Sequence, residues 1–173
     1  PPGERRPIYV MEFGVRGHRP TTHDDPGFYE DGSPIMMQPL AAMELGWFML
    51  EGINRGYVSF VTWTMDDALY DHSMQYGLMG SPTDGFPLKP SYYLMSVFTH
   101  TCEPGWRAVK IDGAKENIVV AALAGKDGAM TVYVLNRSDK AATVSIAGLA
   151  ACAMREMIWN QNGNGQTADL AQT

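Results

Sequence analysis

Two side chains in this sequence stand where chemistry could be done. Ile8-Tyr9-Val10-Met11-Glu12-Phe13-Gly14 is an apolar run that closes on one carboxylate and then a glycine. An ionised group is costly in an apolar run unless it is paired, hydrogen-bonded or used. At the carboxyl end of a buried strand, beside a flexible turn, a carboxylate can act as nucleophile or base. The structural alternative is a Glu paired with an Arg such as Arg16, or one exposed at a strand end. Tyr57-Val58-Ser59-Phe60-Val61-Thr62-Trp63 is a second β-forming run, and it ends on an indole. An indole face stacks on the C–H surface of a sugar ring and excludes water, although a lone Trp is more often core packing. The pairing carries the reading: a carboxylate ends one strand and an aromatic plate ends the next.

Other groups surround these two along the chain. His18, with Arg16 and His23, follows Glu12, while Asp66, Asp67, Tyr70 and His72 follow Trp63. Such groups can hydrogen-bond substrate hydroxyls, and His18, Asp66, Asp67 and Tyr70 are the candidate binding residues. Asp66-Asp67 could equally cap a turn, and each loop residue taken singly suits a solvated role.

The elements that must position these residues follow from pattern. Residues 8–13 read as a strand apolar on both faces, the signature of a parallel sheet. A loop rich in Gly, Pro, Thr, His and Asp spans about Gly14 to Ser33, long enough to suggest function. Ser33-Pro34 opens a helix to about Arg55, with an apolar stripe at Met36, Leu40, Met43, Trp47 and Leu50. Gly56 is placed to end it in the left-handed conformation. Strand 57–63, a loop to Lys89 and a helix from Pro90 to about Thr101 follow.

After Glu103-Pro104-Gly105 the pattern changes. Arg107–Ile111, Asn117–Ala124, Met130–Asn136, Ala141–Ala147 and Ala153–Trp159 are short strand candidates, with Asp127-Gly128 a hairpin signal. Residues 160–165 read as loop. The expected fold is therefore α/β plus all-β. Residues 1–105 alternate strand and helix, and residues 106–173 form a small antiparallel β-sandwich. Two β/α units cannot close a sheet and would leave an apolar edge. A barrel needs about eight such units and about 250 residues. Residues 1–105 are accordingly expected to be the last quarter to half of a (β/α)8 TIM barrel. The start, Pro1-Pro2-Gly3-Glu4-Arg5-Arg6, lacks an initiator Met and reads as the cut end of a longer protein.

Bulk properties narrow the partners. The net charge is −6 and the 13 Lys and Arg are scattered, which argues against a nucleic-acid groove. No apolar run reaches the roughly 18 residues of a membrane span. Cys102 and Cys152 have no Cys or His at metal-ligand spacing. They read as unpaired buried thiols, a disulfide being the alternative. No metal or cofactor is expected.

Taken together, these motifs resemble clan A retaining glycoside hydrolases. Tyr9-Val10-Met11-Glu12-Phe13-Gly14 is similar to their seventh-strand nucleophile motif, and Phe60-Val61-Thr62-Trp63 to their eighth strand, whose terminal Trp lines the subsite of the reacting sugar. Tyr76-Gly77-Leu78-Met79 and Lys89-Pro90-Ser91-Tyr92-Tyr93 resemble the entry to the last barrel helix, and the downstream β module resembles their C-terminal sandwich. The resemblance implies Glu12 as nucleophile, Trp63 in the sugar subsite and a glycoside, oligosaccharide or polysaccharide as substrate. It favours a secreted or periplasmic setting. A retaining enzyme also needs a carboxylic acid about 5–5.5 Å from the nucleophile. In the resembled clan that acid ends the fourth strand, and this sequence has no such segment. The chain alone is not expected to hydrolyse glycosides; it would need the missing N-terminal barrel segment. Two further classes compete: a carbohydrate-binding or scaffolding protein without catalysis, and a β/α enzyme using Asp66 or Asp67 with a divalent ion.

Overall fold

Strands β1 (Ile8–Phe13) and β2 (Tyr57–Thr62) pair in parallel, and helix α1 (Pro39–Asn54) lies between them in sequence. A computed structural model describes residues 6–14, 39–67, 76–113, 115, 117–149, 152–160 and 163–170. A 3-10 turn (Pro82–Asp84) and helix α2 (Pro90–Thr101) follow. Strands β3 (Arg107–Val109), β4 (Ile118–Ala124) and β5 (Met130–Asn136) form an antiparallel sheet in that order. Strands β6 (Met154–Asn160) and β7 (Gly163–Leu170) form a separate antiparallel pair.

The helices form the middle of the molecule. Ala42, Leu45, Met49, Leu50 and Ile53 of α1 join Leu94 and Phe98 of α2 and Ala121 and Tyr133 of the three-stranded sheet in one core. Phe98 and Tyr133 stack at 4.8 Å. On the other side Phe13 and Phe48 stack at 5.2 Å, with Phe60 against both. The rim is polar. Asn54 Nδ2 donates to the Val120 carbonyl at 2.9 Å, and Arg137 pairs with Glu44 while lying over the Trp47 ring.

Small residues decide which face of α1 is buried. A Cβ on Gly46 would stand 3.1 Å from Leu94, and one on Gly52 only 2.7 Å from the Phe60 ring. The buried stripe therefore runs through Ala41, Ala42, Leu45, Gly46, Met49, Leu50, Gly52 and Ile53. The stripe expected from large apolar residues is rotated from it: Leu40 is 49% exposed, and Met43 and Trp47 are half-buried. Met36 lies outside the described residues. Gly56 does close the helix, at φ +83° with its N–H on the Ile53 carbonyl.

The expected partial (β/α)8 barrel followed by a sandwich is not this fold. Among the described residues the parallel sheet has two strands and no barrel closes. Both helices are used instead as a layer, packed on each other and on the antiparallel strands. Strand β1 is not covered on both faces either: Tyr9 is 59% and Met11 70% exposed. In the β module, residues 141–149 are exposed and join no sheet. Val144, Ile146 and Leu149 there stay exposed at 41%, 47% and 37%, so no apolar face is buried to hold a strand down. The stretch read as loop instead carries β7, and Asn160 pairs with Gly163; Asn and Gly mark hairpins as well as loops. Among the described residues the three-stranded sheet packs chiefly on α1, with Tyr133 on Phe98 of α2, and the β6–β7 pair packs on α2 as a separate sheet rather than as the second layer of a sandwich. Cys102 and Cys152 are both free thiols, the first half-buried and the second exposed. Among the described residues no helix is long and apolar enough to cross a membrane.

Two expectations follow from this packing. Gly52→Ala gains up to about 1 kcal/mol of helix propensity but meets the Phe60 ring, at a cost of about 1–3 kcal/mol. Urea unfolding should show a net loss for Gly52→Ala and near neutrality for Gly46→Ala, where a Leu94 methyl can yield. The second expectation concerns alkaline stability. Burial raises the Tyr133 phenol above its ordinary 10.0, so above pH 10 the unfolded chain loses a proton that the fold keeps, and stability falls as pH rises. Tyr133→Phe should cost about 1 kcal/mol at pH 7 through the lost hydrogen bond to Thr101. That gap should shrink at pH 10.5; a constant gap contradicts the assignment.

Candidate active site

The candidate site is built where β1 and β2 end together. The Trp63 N–H donates to the Phe13 carbonyl at 2.8 Å, which carries the parallel ladder one residue past β2. A Cβ on Gly14 would stand 2.9 Å from the Trp63 carbonyl oxygen. Only glycine lets the two strand ends close to that distance. The peptide from Trp63 to Thr64 is cis.

A slip in register sets the direction of Glu12. Val10 pairs with Phe60 and Phe13 with Thr62, so three steps along β1 match two along β2. The extra residue breaks the in-out alternation, as a bulge does. Val10 and Phe13 are half-buried, whereas Met11 and Glu12 between them are both exposed. The slip thus lets Val10 and Phe13 both be half-buried while Met11 and Glu12 both face solvent. Among the described residues no hydrogen bond or ion pair engages that carboxylate. Arg16, the alternative structural partner, lies outside the described residues. Trp63, 39% exposed, follows directly on the neighbouring strand, and parallel strands run about 4.8 Å apart.

The segment after Trp63 is held by a backbone ladder. The Thr64 and Met65 carbonyls accept the N–H groups of Leu78 and Met79, each at 2.9 Å. The Lys89 N–H donates to the Leu78 carbonyl at 3.0 Å and the Gly80 N–H to the Pro87 carbonyl at 2.8 Å. Gly77 is pressed so closely on Asp66 that a Cβ would lie 2.6 Å from its carbonyl carbon. One ion pair locks the assembly. Asp67 Oδ1 accepts the Gly77 N–H at 2.7 Å and Oδ2 accepts Lys89 Nζ at 2.7 Å. Lys89 is 1% and Asp67 9% exposed. Burial lowers the Lys89 pKa from 10.5, against the pull of the Asp67 carboxylate.

The predicted site residues therefore separate. Glu12 and Trp63 lie near the same end of the parallel pair, and Asp66 follows as a half-exposed rim residue. Asp67, grouped with the sugar contacts by its place in the loop, is turned inward onto Lys89 and Gly77. His18 and Tyr70 lie outside the described residues. Lys89 went unrecognised as part of this region, although it is the one cation in Phe86-Pro87-Leu88-Lys89-Pro90. A lone charge in an apolar run singled out Glu12, and the same signal applies there. Among the described residues no group of three His, Cys, Asp or Glu could hold a metal ion. Neither protein families, curated proteins nor solved structures yielded a match to this chain.

The buried pair makes a stability prediction. Removing one partner strands the other charge, at about 3–5 kcal/mol. Lys89→Met should therefore lower urea stability by about 3 kcal/mol, and Lys89→Met combined with Asp67→Asn by less than the sum of the single losses. Strict additivity would show that the two groups do not interact.

Proposed function

We propose that this chain carries the nucleophile of a retaining glycoside hydrolase. The observation that carries the reading is the exposed Glu12 carboxylate, set within a register slip at the strand end whose neighbour continues into Trp63. The motifs around both residues resemble the corresponding strands of clan A enzymes, and the geometry gives each a use.

Glu12, ionised, attacks the anomeric carbon and displaces the aglycone, leaving a glycosyl ester; water then releases the sugar. The indole of Trp63 forms an apolar wall against the sugar ring and keeps water from its C–H face. Asp66 suits hydroxyl contacts at the rim. The leaving oxygen needs a proton from a second carboxylic acid. Asp67 does not suit that part, because its oxygens are engaged by Lys89 and Gly77. The reading takes the acid from polypeptide outside this sequence. Sugar binding without hydrolysis is the second reading, and it rests on Trp63 alone.

A substrate with a good leaving group separates the two, since it needs no acid. A 2,4-dinitrophenyl 2-deoxy-2-fluoroglycoside, incubated with the intact polypeptide, should add one fluorosugar mass to the peptide containing Glu12. Glu12→Gln should abolish labelling and lower turnover of aryl glycosides by at least about a thousandfold. Full activity in Glu12→Gln, or sugar binding without a label, would end the nucleophile assignment.

A further inference from the structure

The buried Lys89–Asp67 pair lies where its strength is transmitted to one functional group. From Trp63 the chain runs four residues to Asp67, and those residues carry two backbone bonds, from Leu78 to Thr64 and from Met79 to Met65. Asp67 then spans to Gly77 with one oxygen and to Lys89 with the other. Lys89 is in turn fixed through its own backbone, its carbonyl accepting the Tyr92 N–H at 3.0 Å. Its backbone N–H holds the Leu78 carbonyl, and the residue abuts Pro90, the first residue of α2. The Pro90 carbonyl accepts the Trp159 indole N–H at 3.2 Å. An unbroken path of short polar contacts thus links the β2 end to α2 and the β6–β7 pair.

A buried ion pair is weak evidence for stability, because desolvation consumes most of the attraction. Its best-supported use is to specify one arrangement among several. Among the described residues the ladder between 64–65 and 78–79 supplies two backbone bonds, and residue 63 at its head is 39% exposed. The ion pair ties the far end of that segment to the buried start of α2.

We propose that Lys89 and Asp67 are positioning residues that hold the Trp63 indole in the sugar subsite; this rests on the hydrolase reading above. Neither side chain reaches substrate. They act through residues 64–67, which they clamp against Gly77 and the start of α2.

Labelling the intact polypeptide with 5-fluorotryptophan gives one fluorine resonance per indole, and Trp63→Phe assigns that of Trp63. The paired substitution Lys89→Met with Asp67→Asn leaves no stranded buried charge, and the single Asp67→Asn keeps an acceptor for the Gly77 N–H. In either background the Trp63 resonance should shift or split, while those of Trp47 and Trp106 stay in place. kcat/KM for an aryl glycoside should fall at least tenfold, with Glu12 still labelled by the activated fluoroglycoside at a reduced rate. An unmoved Trp63 resonance in both folded variants would overturn the positioning role, whatever the activity. Failure of the unaltered polypeptide to label at Glu12 would instead overturn the hydrolase reading, whatever the resonance does.

Discussion

Everything at the candidate site depends on how closely two strand ends approach each other. The Phe13 carbonyl holds the Trp63 N–H, and Gly14 leaves room for the Trp63 carbonyl. A side chain at position 14 would push the strands apart, and the carboxylate and indole would lose their common end. The register slip before it is the complementary device. Without it, strict alternation would place Glu12 and Phe13 on opposite faces but would bring Met11 onto the face of Phe13. With it, the ring of Phe13 stays inside the Phe48–Phe60 cluster and both preceding side chains face solvent. One local irregularity therefore satisfies packing on one side and exposure on the other.

Two kinds of charge are treated oppositely by this fold. Glu12 is kept in water, where an ionised carboxylate is cheap and accessible. Lys89 and Asp67 are taken out of water and made to satisfy each other, with the Gly77 N–H as a further donor. The same chain length of loop would serve if both were exposed. Their pairing joins the backbone bonds that hold residues 64–65 against 78–79.

The elements with strong local signals were legible in the sequence. Strands β1, β2, β4 and β5, helix α2, the left-handed Gly56 and the turn at Asp127-Gly128 all carry their own chemistry. What was not legible depends on partners distant along the chain. The buried face of α1 is set by Gly46 and Gly52 meeting Leu94 and Phe60, so counting large apolar residues misplaces it. Asp67 reads as an ordinary loop acid because its partner stands 22 residues away. The architecture was misjudged for a related reason. Strand and helix alternation specifies a parallel pair but not what the helices pack on; here that is an antiparallel sheet and each other. At the candidate site, Glu12 and Trp63 were visible as strand-end residues, whereas the slip that leaves Met11 and Glu12 both exposed has no signature in residue type.

The account stands on the Glu12 carboxylate as the atom group that bonds to sugar, with the Trp63 ring alongside. A crystal structure of the intact polypeptide after reaction with the activated 2-fluoroglycoside tests this most directly. The account predicts continuous density from a Glu12 carboxylate oxygen to the anomeric carbon, with the sugar lying against the Trp63 indole. A sugar bonded to another side chain, or held with Glu12 untouched, would contradict it.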